Sequence, residues 1–156
     1  MEFQKQDGDE CQLAVIAMLS GKPLPEMREL VRKEFGCNWC CIIERRKVGI
    51  AAEKLYPLVG LPRLVSCFYP KSDGCGWTLL LPKDGHSKTY LKNDLPNLDG
   101  RGQISISAGL RSNGHAMAFG SGLVYDGNAD GPLSWQNWKK TMSKNYVYKI
   151  VEVVRV

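Results

Sequence analysis

The sequence predicts an α+β fold, with N-terminal helices packed on a mostly antiparallel β-sheet. Two observations carry that expectation. Up to about Leu58 apolar residues recur at helical spacing, whereas from Leu61 onward the apolar runs are short, alternate with polar residues or are bounded by Gly and Pro. Helices that precede strands in this way read as two packed layers. A chain of 156 residues is large enough to bury a core without metal or disulfide staples. One domain, 1–156, is therefore expected, with a helical part over about 1–60 and a sheet part over about 61–156.

Each element has its own signal. The polar run Gln6-Asp7-Gly8-Asp9-Glu10 gives way to Leu13-Ala14-Val15-Ile16-Ala17-Met18-Leu19, so a buried helix is expected from about Glu10 to Ser20. Asp9 and Gln12 have the spacing of a capping pair, and Gly21 ends the helix. Pro23 and Pro25 open a second helix, with Leu24, Met27, Leu30, Val31 and Phe35 at helical spacing and Gly36 as its stop. Cys37-Asn38-Trp39-Cys40-Cys41 shows no clear period, and Ile43 to Leu58 reads as one further helix with Val48, Ala51, Ala52 and Leu55 inward. Strands are expected at Leu64–Tyr69, Trp77–Leu81, Gln103–Ser107, His115–Phe119, Leu123–Tyr125 and Tyr146–Val154. Pro82 to Gly102 is polar and turn-rich, with one short element around Thr89-Tyr90-Leu91. A short helix over Ser134–Met142, capped by Ser134, carries Trp135 and Trp138 on one face.

Composition narrows the function classes. At 44% hydrophobic and 24% charged residues the chain is ordinary for a globular protein, which excludes wholesale disorder. The net charge of +5 is scattered apart from Arg45-Arg46-Lys47 and Lys139, Lys140 and Lys144, so nucleic acid is not the expected partner. No apolar run has the length of a membrane span, and Met1-Glu2-Phe3-Gln4-Lys5 lacks the apolar core of a signal peptide; no membrane association and a cytoplasmic location are expected. The six cysteines should then be thiols. Oligomeric state is open.

The chemistry centres on Cys11. A thiol in the first turn of a helix faces unpaired N–H groups and the positive end of the dipole, which favour a thiolate. His115 heads a predicted strand whose hairpin return ends at Asp126. With a two-residue turn at Gly120-Ser121, Phe119 faces Gly122 and His115 faces Asp126. A four-residue loop from Gly120 to Leu123 brings Asn128 opposite His115 instead, so Asn128 is the alternative orienting residue. Asp or Asn in that place can fix an imidazole for nucleophilic catalysis by a cysteine.

The segments Gln6-Asp-Gly-Asp-Glu-Cys11-Gln-Leu-Ala-Val-Ile-Ala-Met-Leu-Ser-Gly21, Asn-Gly-His115-Ala-Met-Ala-Phe and Leu-Val-Tyr-Asp126-Gly-Asn128 together resemble the papain-like cysteine peptidase superfamily. The likeness is to its compact bacterial and phage members related to bacteriocin-processing peptidases, and it covers both ends of the chain but not the middle. It implies a papain-like fold and a cysteine peptidase or amidase that acts on a protein or peptide substrate and needs no cofactor. Position by position it makes Cys11 the nucleophile, His115 the general base, Asp126 the orienting residue and Gln6 the oxyanion donor. The Gln-to-Cys interval is one residue shorter than the usual pattern, which keeps Gln4 as the alternative donor. Gln12 stands where many relatives carry Gly, next to the thiol.

Two other readings compete. The same fold, without catalysis, would serve as an interaction protein for a host or partner protein. Cys37-x-x-Cys40 with Cys67, Cys75 or His86 would suit a structural zinc site, and Trp135 and Trp138 beside lysines would suit base stacking, together a zinc-stabilised nucleic-acid binder. By default Cys37, Cys40, Cys41 and Cys67 belong to the core or its margin, Cys75 to a loop or strand, and the tryptophan pair to the core or a groove wall.

Overall fold

A computed structural model describes residues 1–70, 76–82, 88–107 and 114–154. Among the described residues five α-helices and eight strands follow in the order α1 (Cys11–Ser20), α2 (Leu24–Phe35), α3 (Trp39–Glu44), α4 (Val48–Leu58), β1 (Leu64–Pro70), β2 (Gly76–Pro82), β3 (Lys88–Tyr90), β4 (Arg101–Ser107), β5 (His115–Gly120), β6 (Leu123–Tyr125), β7 (Leu133–Ser134), α5 (Trp135–Thr141) and β8 (Val147–Val154). The architecture is α+β, as the sequence predicts. β1 and β2 form an antiparallel hairpin of their own, and the remaining strands form an antiparallel sheet in the order β3-β8-β4-β5-β6-β7.

α1 is the central helix. Gln12 to Leu19 are all buried, which follows from a sequence that is apolar around the whole circumference rather than on one stripe. Gly21 closes it at φ 72° with its N–H on Ala17 O, and Arg101 of β4 donates from Nη2 to Leu19 O at 2.6 Å. The start differs from expectation: the N-cap is Glu10, without a side-chain cap, and Asp9 does not pair with Gln12. Glu10 instead holds Arg28 of α2 through two hydrogen bonds of 2.9 and 2.7 Å, and Gln12 is drawn into the interior.

The single helix expected over Ile43–Leu58 is two helices. Asn38 opens α3 by accepting from Cys41 N at 3.2 Å. Arg46 takes a left-handed conformation, φ 55°, with Arg46 N on Ile43 O and Lys47 N on Ile42 O. This is a Schellman stop, which usually uses Gly; with Arg in that place the sequence gives no sign of it.

The sheet has a core on both faces, so the expected two layers become three. On one face Ala116, Ala118, Tyr125 and Val151 pack against α1, with α2, α3 and α4 completing that cluster. On the other, Ile104, Met117, Phe119, Val124, Tyr148 and Ile150 pack with Leu95 and with Trp135 and Trp138 of α5. The two indoles stack at 5.0 Å between ring centroids, are 6% and 1% exposed, and Trp138 Nε1 donates to Met117 Sδ at 3.3 Å. They are core residues and offer no open face to a base. Among the described residues no helix is long and apolar enough to cross a membrane.

Candidate active site

The first residue of α1 and the first residue of β5 meet. Cys11 is half-buried, with the unpaired N–H groups of the first helical turn around it, and it lies beside the His115 ring, whose charged form it favours. His115 Nε2 and Asp126 Oδ1 are 2.7 Å apart, each side chain 22% exposed. With Nε2 occupied by the carboxylate, Nδ1 is the nitrogen left for the sulfur. The sequence-predicted Cys11, His115 and Asp126 are therefore brought together, the last two joined by a hydrogen bond.

The route by which Asp126 reaches His115 differs from the expected one. The hairpin turns at Ser121-Gly122, both with positive φ (53° and 74°), and pairs Gly120 with Leu123 and Phe119 with Val124. A turn with two left-handed central residues matches the strand twist, which is why the turn sits one residue later than Gly120-Ser121. Carried past its last pair, this register places Asn128 across from His115. The chain leaves the sheet after Tyr125, however, in a turn closed by Ala129 N on Asp126 O, and it is the Asp126 side chain that meets the ring. Asn128 contributes its backbone N–H, which donates to Asp126 Oδ1 at 2.9 Å; its residue is exposed.

The electrostatics follow from these contacts. Burial by itself would lower the His115 pKa, but hydrogen bonds to Asp126 and Cys11, reinforced by their charges, outweigh it and push it from 6.5 up to about 10. Burial would raise the Asp126 pKa, yet the bonds from His115 and the Asn128 N–H, with the positive charges of His115 and Lys5, hold it below its ordinary 3.8. Both shifts favour an imidazolium against a carboxylate at neutral pH.

The two candidate oxyanion glutamines separate. Gln4 Oε1 accepts from Leu24 N at 3.2 Å and so serves the first turn of α2. Gln6 lies against the loop that carries Asp126: its N–H donates to Gly127 O at 3.0 Å, and its side chain covers Gly127 so closely that a Cβ there would be 2.7 Å from Gln6 Oε1. Gln6 Nε2 donates to Gly8 O at 2.8 Å, and an amide nitrogen has a second N–H to offer. Lys5 fastens the same loop, with Nζ 2.7 Å from Ala129 O, 3.3 Å from Asn128 O and 3.1 Å from Asp130 Oδ1.

Gln12 does not block the thiol. It is 8% exposed and turned inward, where its amide pairs with that of Gln103 in β4. Tyr56 of α4 donates to Gln103 Oε1 at 3.0 Å, and Gln103 Nε2 also reaches Ser105 Oγ at 2.9 Å. Gln103, Tyr56, Gly127 and Lys5 all escape sequence reasoning. Gln12 stands just before an apolar run and Gln103 alternates with Ile104 and Ile106, a pattern that marks neither as a buried partner of the other.

Cys37 and Cys41 are half-buried and Cys40 exposed, and among the described residues no group of three or more His, Cys, Asp or Glu side chains is arranged to hold a metal. The side chain of Cys67 in β1, and Cys75 and His86 altogether, lie outside the described residues. Three acid–base groups with matched hydrogen bonds can activate a sulfur nucleophile and shuttle one proton. No protein-family model, curated protein or solved structure matches this chain.

Proposed function

We propose that this chain is a cysteine-dependent hydrolase of papain-like fold, which cleaves a peptide, isopeptide or related amide bond through a thioester acyl-enzyme. The observation that carries the reading is the His115 ring, which bonds the Asp126 carboxylate through Nε2 and has the Cys11 thiol as its other neighbour. A structural histidine needs one such partner; a base that serves a nucleophile needs both.

In this mechanism His115 is the imidazolium before substrate arrives, as its raised pKa favours. The Cys11 sulfur attacks the carbonyl carbon, and the negative charge that develops on the oxygen is met by the Cys11 N–H and the free N–H of Gln6 Nε2. His115 then gives its proton to the departing amine as the C–N bond breaks, leaving a thioester. Water attacks that thioester with His115 accepting its proton, the acid leaves, and the thiolate and imidazolium are restored. Asp126 stabilises the imidazolium at both stages. No cofactor is required.

Alkylation with iodoacetamide near neutral pH, mapped by mass spectrometry, tests the nucleophile. Cys11 is half-buried and Cys40 exposed, so accessibility alone favours Cys40. Faster labelling of Cys11, abolished by His115→Ala, together with loss of peptide hydrolysis on labelling, supports the reading. Labelling of Cys11 no faster than Cys40 refutes it.

A further inference from the structure

Cys11 and His115 belong to different layers, and the packing between those layers does not by itself fix how they meet. α1 is apolar on every side, so hydrophobic burial selects no particular rotation of the helix, and the residues facing it from β5 are the small Ala116 and Ala118. A directional contact does select one. Gln12 Nε2 donates to Gln103 Oε1 at 2.8 Å while Gln103 Nε2 donates back to Gln12 Oε1 at 3.0 Å, and Tyr56 adds a third bond to Gln103 Oε1 at 3.0 Å. Gln12 and Gln103 are 8% and 3% exposed, and Tyr56 is fully buried. In such a place a slip of the helix by a fraction of a turn would leave amide groups unpaired away from water, a larger penalty than the loss of any one apolar contact.

The location of this pair matters as much as its burial. Gln12 directly follows the sulfur-bearing residue. Gln103 lies in β4, whose pairing with β5 sets Ile106 across from His115. The amide pair thus joins the residue beside the thiol to the strand beside the imidazole.

We infer that Gln103 is a positioning residue: by holding Gln12 it sets the rotation and register of α1 on the sheet, and through them the approach of the Cys11 sulfur to His115. The importance of that approach rests on the hydrolase reading, but its measurement does not. Gln12 is correspondingly no obstruction at the site but the handle by which the helix is held.

The test compares wild type with Gln12→Met/Gln103→Met, which keeps side-chain length and removes both amides, and with Tyr56→Phe, which removes a single hydroxyl. Two quantities are read in the folded proteins: the rate of Cys11 alkylation and the NMR titration of the His115 ring. The double variant is expected to lose on the order of tenfold or more in alkylation rate, because displacements near 1 Å have large effects on such pairs. Its His115 is expected to titrate below about 10, because the contribution of Cys11 is lost while that of Asp126 is kept. Tyr56→Phe should show the same changes in milder form, about two- to tenfold in rate. A purely structural pair would lower thermal stability and leave the titration alone, so an unchanged rate and titration in the folded variants overturns the inference; if only Tyr56→Phe folds, its result decides. Neither readout needs turnover. A wild-type protein that hydrolyses no peptide, yet shows both properties and loses them in the variants, supports the positioning role and refutes the hydrolase.

Discussion

His115 Nε2 lies 2.7 Å from Asp126 Oδ1 even though the extended register of β5 and β6 sets Asn128, not Asp126, across from the histidine. The carboxylate reaches the ring because the chain turns out of the sheet at Asp126, and the Asn128 backbone N–H then braces the same oxygen at 2.9 Å. The two residues should therefore respond very differently to truncation. Asp126→Ala is expected to reduce turnover by about 10²–10⁴-fold, because His115 without its orienting carboxylate loses most of its acid–base contribution. Asn128→Ala keeps the bracing N–H and is expected to stay within about threefold of wild type, since the exposed side chain contributes no bond to the carboxylate. Steady-state hydrolysis of a peptide substrate by the two variants checks this; equal losses would place the orienting function at Asn128 after all.

The same pair makes stability depend on pH from both directions. His115 titrates at about 10 in the folded protein against 6.5 for a free imidazole, so its contribution is complete below 6.5 and is lost as pH rises through about 10. Asp126 is held below 3.8, so its contribution is present above that value and is lost as pH falls through its lower folded value. Urea denaturation across a pH series should give a stability plateau in the acidic-to-neutral range and a decline toward pH 10. In His115→Gln the alkaline decline should flatten. An identical alkaline slope in the two proteins would show that the imidazole is not held as the cation.

Much of this arrangement was legible in the sequence, for reasons that differ by element. α1 and α2 end at Gly21 and Gly36, and in each the expected signal is the physical cause, since both glycines adopt the left-handed conformation. Ser134 caps α5 as its side chain predicts, accepting from Asn137 N. The break between α3 and α4 was invisible because its left-handed residue is Arg46, which carries no turn signal. The association of Cys11, His115 and Asp126 could be proposed from their elements, but the contact between His115 and Asp126 arises from a turn outside the sheet, which strand alternation does not encode. Gln103 illustrates another limit. Its alternation with Ile104 in β4 suggests a solvent face, and only the presence of α1 on that side turns it into a buried partner of Gln12.

The hairpin turn that sets the register is built with one unfavourable residue. Ser121 and Gly122 both have positive φ, 53° and 74°, and Ser pays a steric cost there that Gly does not. Ser121→Asn, which suits the first left-handed position of such a turn, should stabilise the protein by up to about 1 kcal/mol. Gly122→Ala should destabilise it by about 1 kcal/mol. Chemical denaturation of both variants checks the signs, and a stabilising Gly122→Ala would mean that the turn is not held in this conformation.

Gly127 offers a way to separate the oxyanion donor from the nucleophile. It is buried under Gln6, and an added Cβ would lie 2.7 Å from Gln6 Oε1 and 3.1 Å from both Gln6 Cβ and Cγ. The clash therefore includes the root of the side chain, which cannot be relieved by turning its end alone, so Gly127→Ala must displace Gln6 or the loop itself. Cys11 and His115 are anchored instead in α1 and β5. Gly127→Ala is accordingly expected to lower peptide turnover by on the order of a hundredfold, as loss of an oxyanion donor does. Alkylation of Cys11, which develops no oxyanion, should change by less than about threefold. Gln6→Ala should reproduce both results. If Gly127→Ala slows alkylation as much as turnover, the substitution has disturbed the Cys11–His115–Asp126 chain; if Gln6→Ala leaves turnover intact, the oxyanion is held by other donors and Gln6 serves only to cover the loop.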